Sequence, residues 1–234
     1  MTKLSVNINK IAVIRNSRGG DMPNVVKAAL SIERFGGQGI TVHPRPDARH
    51  IRYSDVRDLK GVVTTELNIE GNPIDSFVDL VCEVVPAQVT LVPDAPDAIT
   101  SNAGWDTIKN REFLQQMCDK FHQYGIRVSI FVDPDADMVR GAKECGADRV
   151  ELYTEAYARD YAADRQAAIA PYVAAAEAAT LWFLPLLRSS PVGTISPEPY
   201  TFSRLPSITS ARDTMLCGMP AKRATCIPKE CAEP

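Results

Sequence analysis

The chain has 234 residues, 45% of them hydrophobic and 24% charged, with a formal net charge of −3. That length allows two small domains or one α/β barrel, and the composition is that of an ordinary globular protein. Mild acidity excludes a global attraction to nucleic acid or to an anionic membrane, so any anion site must be a local cluster.

The N-terminal "MTKLSVNINKIAVIRN" has no uninterrupted apolar core of signal-peptide length. No run approaches the roughly 18 apolar residues needed to span a bilayer. Six cysteines, at 82, 118, 145, 217, 226 and 231, form no C-x-x-C pair, and nothing completes a zinc set. The expectation is a cytoplasmic protein with reduced thiols, no metal, and neither nucleic acid nor membrane as a partner.

In chain order, short β-branched runs predict strands at 4–8, 39–43, 64–70, 88–92, 127–132 and 148–154. Most intervals between them carry helical periodicity. "PNVVKAALSIERFG" (23–36) has the N1 proline and C′ glycine of a bounded helix. "PIDSFVDLVCEVV" (73–85) sets Ile74, Phe77, Val78, Val81 and Val85 on one face. "NREFLQQMCDKFHQYG" (110–125) does so with Phe113, Met117 and Phe121. "DADMVRGAKECG" (135–146) is shorter, and 164–179 is Ala-rich and helical apart from Pro171.

Alternating strands and helices imply a parallel sheet. The dinucleotide fingerprint G-x-G-x-x-G is absent, which weakens the case for an open doubly wound sheet. Asn7, Asn9, His43, Glu70, Asp94 and Glu151 fall at or just past the C-terminal ends of successive strands. A closed (β/α)8 TIM barrel gathers those ends into one ring, so the barrel is the expected fold. Six β/α units are recognisable. Beyond residue 179 the periodicity stops, and eight of the 17 prolines fall in 181–234. "LWFLPLL" could be a seventh strand, although Pro185 argues against a central one. The expected organisation is a barrel domain over 1–179 and an irregular tail over 180–234.

The chemistry concentrates in "GITVHPRPDARHIR" (39–52), which holds two of the three histidines and three arginines. Histidine is the usual acid–base group near neutral pH, and arginine offers phosphate a planar fork of donors. The blander reading is a solvated loop with incidental charge. In "ELNIEGNP", Glu66, Asn68 and Glu70 share one side of a strand, where carboxylates are costly unless used or ion-paired. Arg18 in "NSRGG" and Thr100 in "LVPDAPDAITSNAGWD" lie on loops after strands, and Glu151 lies within the sixth strand.

Taken together, "VNINKIA", "RNSRGG", "GITVHPRPDARHIR", "NIEGNP", "QVTLVPDAPDAITSNAGWD" and "VELYTEAYA" resemble the pyridoxine 5′-phosphate synthase family, in its order and spacing, from residue 1 to about 179. The resemblance implies a barrel that condenses 1-deoxy-D-xylulose 5-phosphate with 3-amino-2-oxopropyl phosphate in vitamin B6 biosynthesis, without a metal or organic cofactor. It implies His43 and Glu70 as acid–base residues and Glu151 as a stabiliser of transition-state charge. Asn7 and Arg18 would contact the amino-ketone phosphate. Arg45, His50 and Thr100 would hold the ketose phosphate, with Asn9 and Lys10 nearby. It also implies a homo-oligomer, up to an octamer.

Two departures stand out. Many members carry Asp-His where this chain has Asn9-Lys10. The family's third catalytic histidine, in a Gly-His-Asp-Leu-like segment, has no counterpart after His122. A shifted reading frame would account for the second. "SPVGTISP" (190–197) can be encoded as TCGCCGGTGGGCACGATCTCTCC, which from its third base reads Ala-Gly-Gly-His-Asp-Leu-Ser. Two alternatives stay open: an incomplete, inactive barrel that only binds a phosphorylated ligand, and another phosphosugar aldolase or isomerase. Lys10 is the only lysine near a recognisable strand end that could serve the aldolase.

Overall fold

Glu66 and Arg149, 83 positions apart in sequence, form an ion pair of 3.1 Å across the inside of a curled sheet. The computed structural model describes residues 3–17, 19–94 and 103–183. Strands and helices alternate through them: β1 (Ser5–Asn7), α1 (Asn9–Ser17), α2 (Val25–Arg34), β2 (Gly39–Val42), α3 (Tyr53–Val62), β3 (Glu66–Gly71) and α4 (Asp75–Val84). There follow β4 (Gln88–Leu91), α5 (Arg111–Gln123), β5 (Arg127–Val132), α6 (Ala136–Glu144), β6 (Arg149–Leu152), α7 (Glu155–Asp160) and α8 (Arg165–Phe183). The strands make one parallel sheet in the order β1-β2-β3-β4-β5-β6. It is the partly closed wall of a TIM-barrel-like fold, six β/α units of which lie in the described residues.

Side chains alternate between two buried faces. Ile40, Val42, Leu67, Ile69, Val89, Leu91, Val128 and Ile130 join the helices' Phe77, Leu80, Val81, Leu114 and Phe121 in one core. The opposite, concave face is mostly polar and carries a chain of hydrogen bonds, with Phe131 as an apolar member. Ser5 and Thr41 share a hydroxyl contact of 2.8 Å, Asn68 accepts from Thr90 at 3.1 Å, and Gln88 Oε1 accepts from Arg127 at 2.9 Å and Arg149 at 3.0 Å. Glu66 closes the chain onto both arginines. In a flat sheet β3 and β6 would stand about 14 Å apart, three strand spacings. Their direct contact therefore measures the curl. Most of the buried polar groups here are tolerated because their neighbours satisfy them; the Ser129 hydroxyl, buried without a partner among the described residues, is an exception.

The strand positions match those expected from the sequence to within two residues. The helices depart from expectation in five ways. Helices α1, α3 and α7 were not anticipated, and α1 leads directly into the loop carrying Gly19 and Gly20. Pro23 lies before the N-cap Asn24, whose side chain accepts from Lys27 N–H, so it is not the first helical residue. Val85 is not on the buried face of α4: Val84 is, and Val85 caps the helix with φ 49° and is exposed. On α5 the fully buried stripe is Leu114, Cys118 and Phe121, while Phe113 is exposed. Helix α8 runs past residue 179 and takes in Leu181–Phe183, so that part of "LWFLPLL" is helical rather than a strand. The rest of the expected irregular tail, 184–234, lies outside the described residues.

Candidate active site

The C-terminal strand ends carry the polar groups, as a parallel barrel requires of its active face. Register and side-chain alternation put Asn7, His43, Glu70 and Glu151 on the concave side. His43, Glu70 and Glu151 are at most 5% exposed. A relay of amides links the first three. Asn7 Nδ2 donates to Glu70 Oε2 at 3.4 Å, Asn9 N–H donates to Asn7 Oδ1 at 2.9 Å, and His43 N–H donates to Asn9 Oδ1 at 2.8 Å. Asn9 thus turns the start of α1 toward the end of β2. Lys10, next along α1, is exposed.

The loop after β2 folds back on itself through a parallel bridge between Pro44 and Ile51 and a turn at Ala48, with φ 51°. This fold brings the His50 ring edge-on to His43, centroids 5.8 Å apart. Arg45 is 5% exposed and lies 3.6 Å from Asp47 and 4.0 Å from Asp94. Burial would raise the Asp47 carboxyl, but hydrogen bonds from Arg49 and the charges of Arg45 and Arg49 hold it below the usual range. His43, Arg45, Tyr53, Asn72, Phe77 and Asp94 line one cavity at this end of the sheet. Asn72 Nδ2 donates to the Asp94 carbonyl at 2.6 Å and ties the ends of β3 and β4 together.

The structure therefore brings together Asn7, Asn9, His43, Arg45, His50 and Glu70, and it places Glu151 on the same face. Arg18 and Thr100 lie outside the described residues. The third histidine, His122, stands elsewhere, on Asp148 at 2.8 Å. Sequence reasoning did not single out Arg15, Asn16, Asp55 or Asn72. Arg15 and Asn16 sat in view inside "RNSRGG", as Asn72 did inside "NIEGNP", but the partners that give them a role are tertiary contacts. Among the described residues no cluster of three or more His, Cys, Asp or Glu could hold a metal ion. No helix among them is long and apolar enough to cross a membrane.

A family model described as pyridoxal phosphate biosynthesis protein PdxJ matches residues 4–186. The chain belongs to this family. Pyridoxine 5′-phosphate synthase of Flavobacterium johnsoniae is 64% identical over 179 residues, which are 76% of this chain and 76% of the relative. The proteins of the same name from Christiangramia forsetii and Bacteroides fragilis are 62% and 63% identical over 179 residues. Family membership and site geometry agree in position, since every residue placed at the site above lies within the matched stretch. The flavin-binding domain of baker's yeast flavocytochrome b2 has a similar fold, with a TM-score of 0.51 at 14% identity over 77% of this chain. The match spans about half, 49%, of that chain.

Proposed function

We propose that the chain is a pyridoxine 5′-phosphate synthase of the cytoplasm, condensing 1-deoxy-D-xylulose 5-phosphate with 3-amino-2-oxopropyl phosphate and releasing phosphate and water. The observation that carries this reading is the convergence of two kinds of group on one barrel face. His43 and Glu70 are buried and joined through Asn7 and Asn9, while Arg45 and His50 flank them on a folded loop.

The reaction needs that combination. An amine adds to a ketone, protons leave carbon, and water and phosphate depart, so protons move at several atoms. His43 and Glu70, on neighbouring strands, serve as the acid–base pair. Glu151 faces the same space and stabilises positive charge as it develops. Two phosphorylated substrates need fixed positive charge and hydrogen-bond donors: Arg45, His50 and Thr100 hold the ketose phosphate, while Asn7 and Arg18 hold the amino-ketone phosphate, with Asn9 and Lys10 close by. No metal or organic cofactor enters the scheme. The working assembly is a homo-oligomer, for which an octamer is the size to test by light scattering.

A second reading has its own support. Alignment with the relatives stops after 179 residues, and the sequence has no histidine beyond His122. The chain would then bind one phosphorylated substrate without turning it over. Calorimetric titration with each substrate, run beside an assay for pyridoxine 5′-phosphate, separates the two. Product supports the synthase, binding without product supports the inactive barrel, and neither overturns both. A Schiff base trapped by borohydride with the ketose phosphate alone would instead favour an aldolase.

A further inference from the structure

We infer that Arg15 and Asn16 on α1, backed by Asp55 on α3, are positioning residues that fix where His50 stands and so set how tightly the site holds a phosphorylated ketose. The inference rests on the assignment of His50 to the ketose phosphate made above.

Arg15 is charged yet only 4% exposed, and it makes four directed donations. Nη1 and Nη2 grip Asp55 at 2.6 and 2.8 Å, Nη2 also donates to the His50 carbonyl at 3.2 Å, and Nε donates to Asn16 Oδ1 at 3.0 Å. Asn16 adds two donations from its Nδ2, to the carbonyls of His50 at 2.8 Å and Ala48 at 3.0 Å. Asp55 Oδ2 accepts the Arg52 backbone N–H at 2.8 Å, which pins the end of the loop to the start of α3.

The His50 carbonyl is therefore held by two side chains of α1, two residues after the left-handed Ala48 where the loop turns. A buried ion pair is weak evidence of stabilisation in itself, because desolvation offsets its attraction. What this pair and Asn16 add is direction: both α1 side chains reach the backbone of one candidate ligand residue. The His50 ring meets His43 edge-on at 5.8 Å, so a displaced His50 backbone alters the site directly.

The decisive variant is Asn16→Ala in the full chain, since it removes two donations to the loop and leaves the Arg15–Asp55 pair in place. Arg15→Lys is the second variant. It keeps a charge for Asp55 but lacks the guanidinium fork that reaches His50 as well. Three histidines make the imidazole proton resonances easy to assign, and His122, on Asp148, serves as an internal reference. The expected result is a shift of the His50 resonances with His122 unmoved. Calorimetry should show 1-deoxy-D-xylulose 5-phosphate binding about tenfold more weakly, of the order of one hydrogen bond lost, and 3-amino-2-oxopropyl phosphate binding unchanged. Unmoved His50 resonances in the variants overturn the inference, as does an equal weakening toward both ligands. If the unsubstituted chain binds no ketose phosphate, the substrate assignment falls, and the histidine resonances alone decide whether the clamp positions His50.

Discussion

The backbone amide of His43 donates to the side-chain oxygen of Asn9 at 2.8 Å, so the residue that opens α1 also fixes the exit of β2. An aspartate can accept the same bond and would sit favourably at a helix N-terminus. Asn9→Asp should therefore leave stability within about 0.5 kcal/mol of the parent, whereas Asn9→Ala strands the buried amide and should cost about 1–2 kcal/mol. Urea unfolding of the two variants checks this. Equal stabilities would show that the bond has no structural role.

This contact also shows what can be read from sequence and what cannot. Most of the strands are legible because they are short apolar runs buried on both faces, as a parallel sheet demands, although β1 is only half-buried. His43, Glu70 and Glu151 are legible because the strand's period of two puts a polar residue at each C-terminal end. Helix α1 is not, because its low amphipathicity gives no periodic signal: only Ala12 and Arg15 are buried along it. With α1 unseen, the Arg15–Asp55 pair and the Asn16 contacts are invisible too, being tertiary contacts 32 to 40 residues apart. The role of Glu66 was half legible. Its side of the strand follows from alternation, but its partners on β5 and β6 depend on the curl of the sheet.

Glu66 gives a pH prediction with a definite sign. Burial would raise its carboxyl, but the hydrogen bonds and charges of Arg127 and Arg149 hold it below the usual carboxylate range. A lowered folded-state value means stabilisation is present above the ordinary range and lost as pH falls through the depressed value. Glu66→Gln should destabilise the chain at neutral pH by about 2 kcal/mol, since it leaves two arginines without their counter-charge. The gap between parent and variant should close in acid. Thermal melting from about pH 7 down to about pH 3 reads both limbs. A gap that stays constant with pH would mean the ion pair contributes nothing linked to protonation.

Val85 is a β-branched residue held at φ 49° at the end of α4, a conformation that costs such residues about 1–3 kcal/mol. Its amide still donates to Val81 O at 2.9 Å, and Lys60 Nζ donates to its carbonyl at 2.6 Å, so the surroundings hold it there. The side chain is 38% exposed and gives little in return. Val85→Asn, which tolerates the left-handed region, should raise stability by about 1 kcal/mol. A melting temperature no higher than the parent's would show that Val85 packing matters more than its backbone strain.

Residues 184–234 lie outside the described residues. The aligned 179 residues are 76% of this chain and 76% of the Flavobacterium johnsoniae relative, which leaves about a quarter of each outside the match. Identity of 64% holds up to that point and the family match ends at residue 186. Gradual divergence would blur several blocks, whereas a shifted frame would end the match cleanly. We therefore expect the coding DNA near codon 180 to restore, after one inserted or deleted base, a Gly-rich segment bearing a histidine and then a further β/α unit. In the restored protein His43→Ala and Glu70→Gln should each lower the rate by a factor of about 100 or more, the contribution usual for a general acid–base group. If no alternative frame contains that histidine-bearing loop, the C-terminal quarter is a replacement specific to this chain. Activity must then be sought in the chain as it stands.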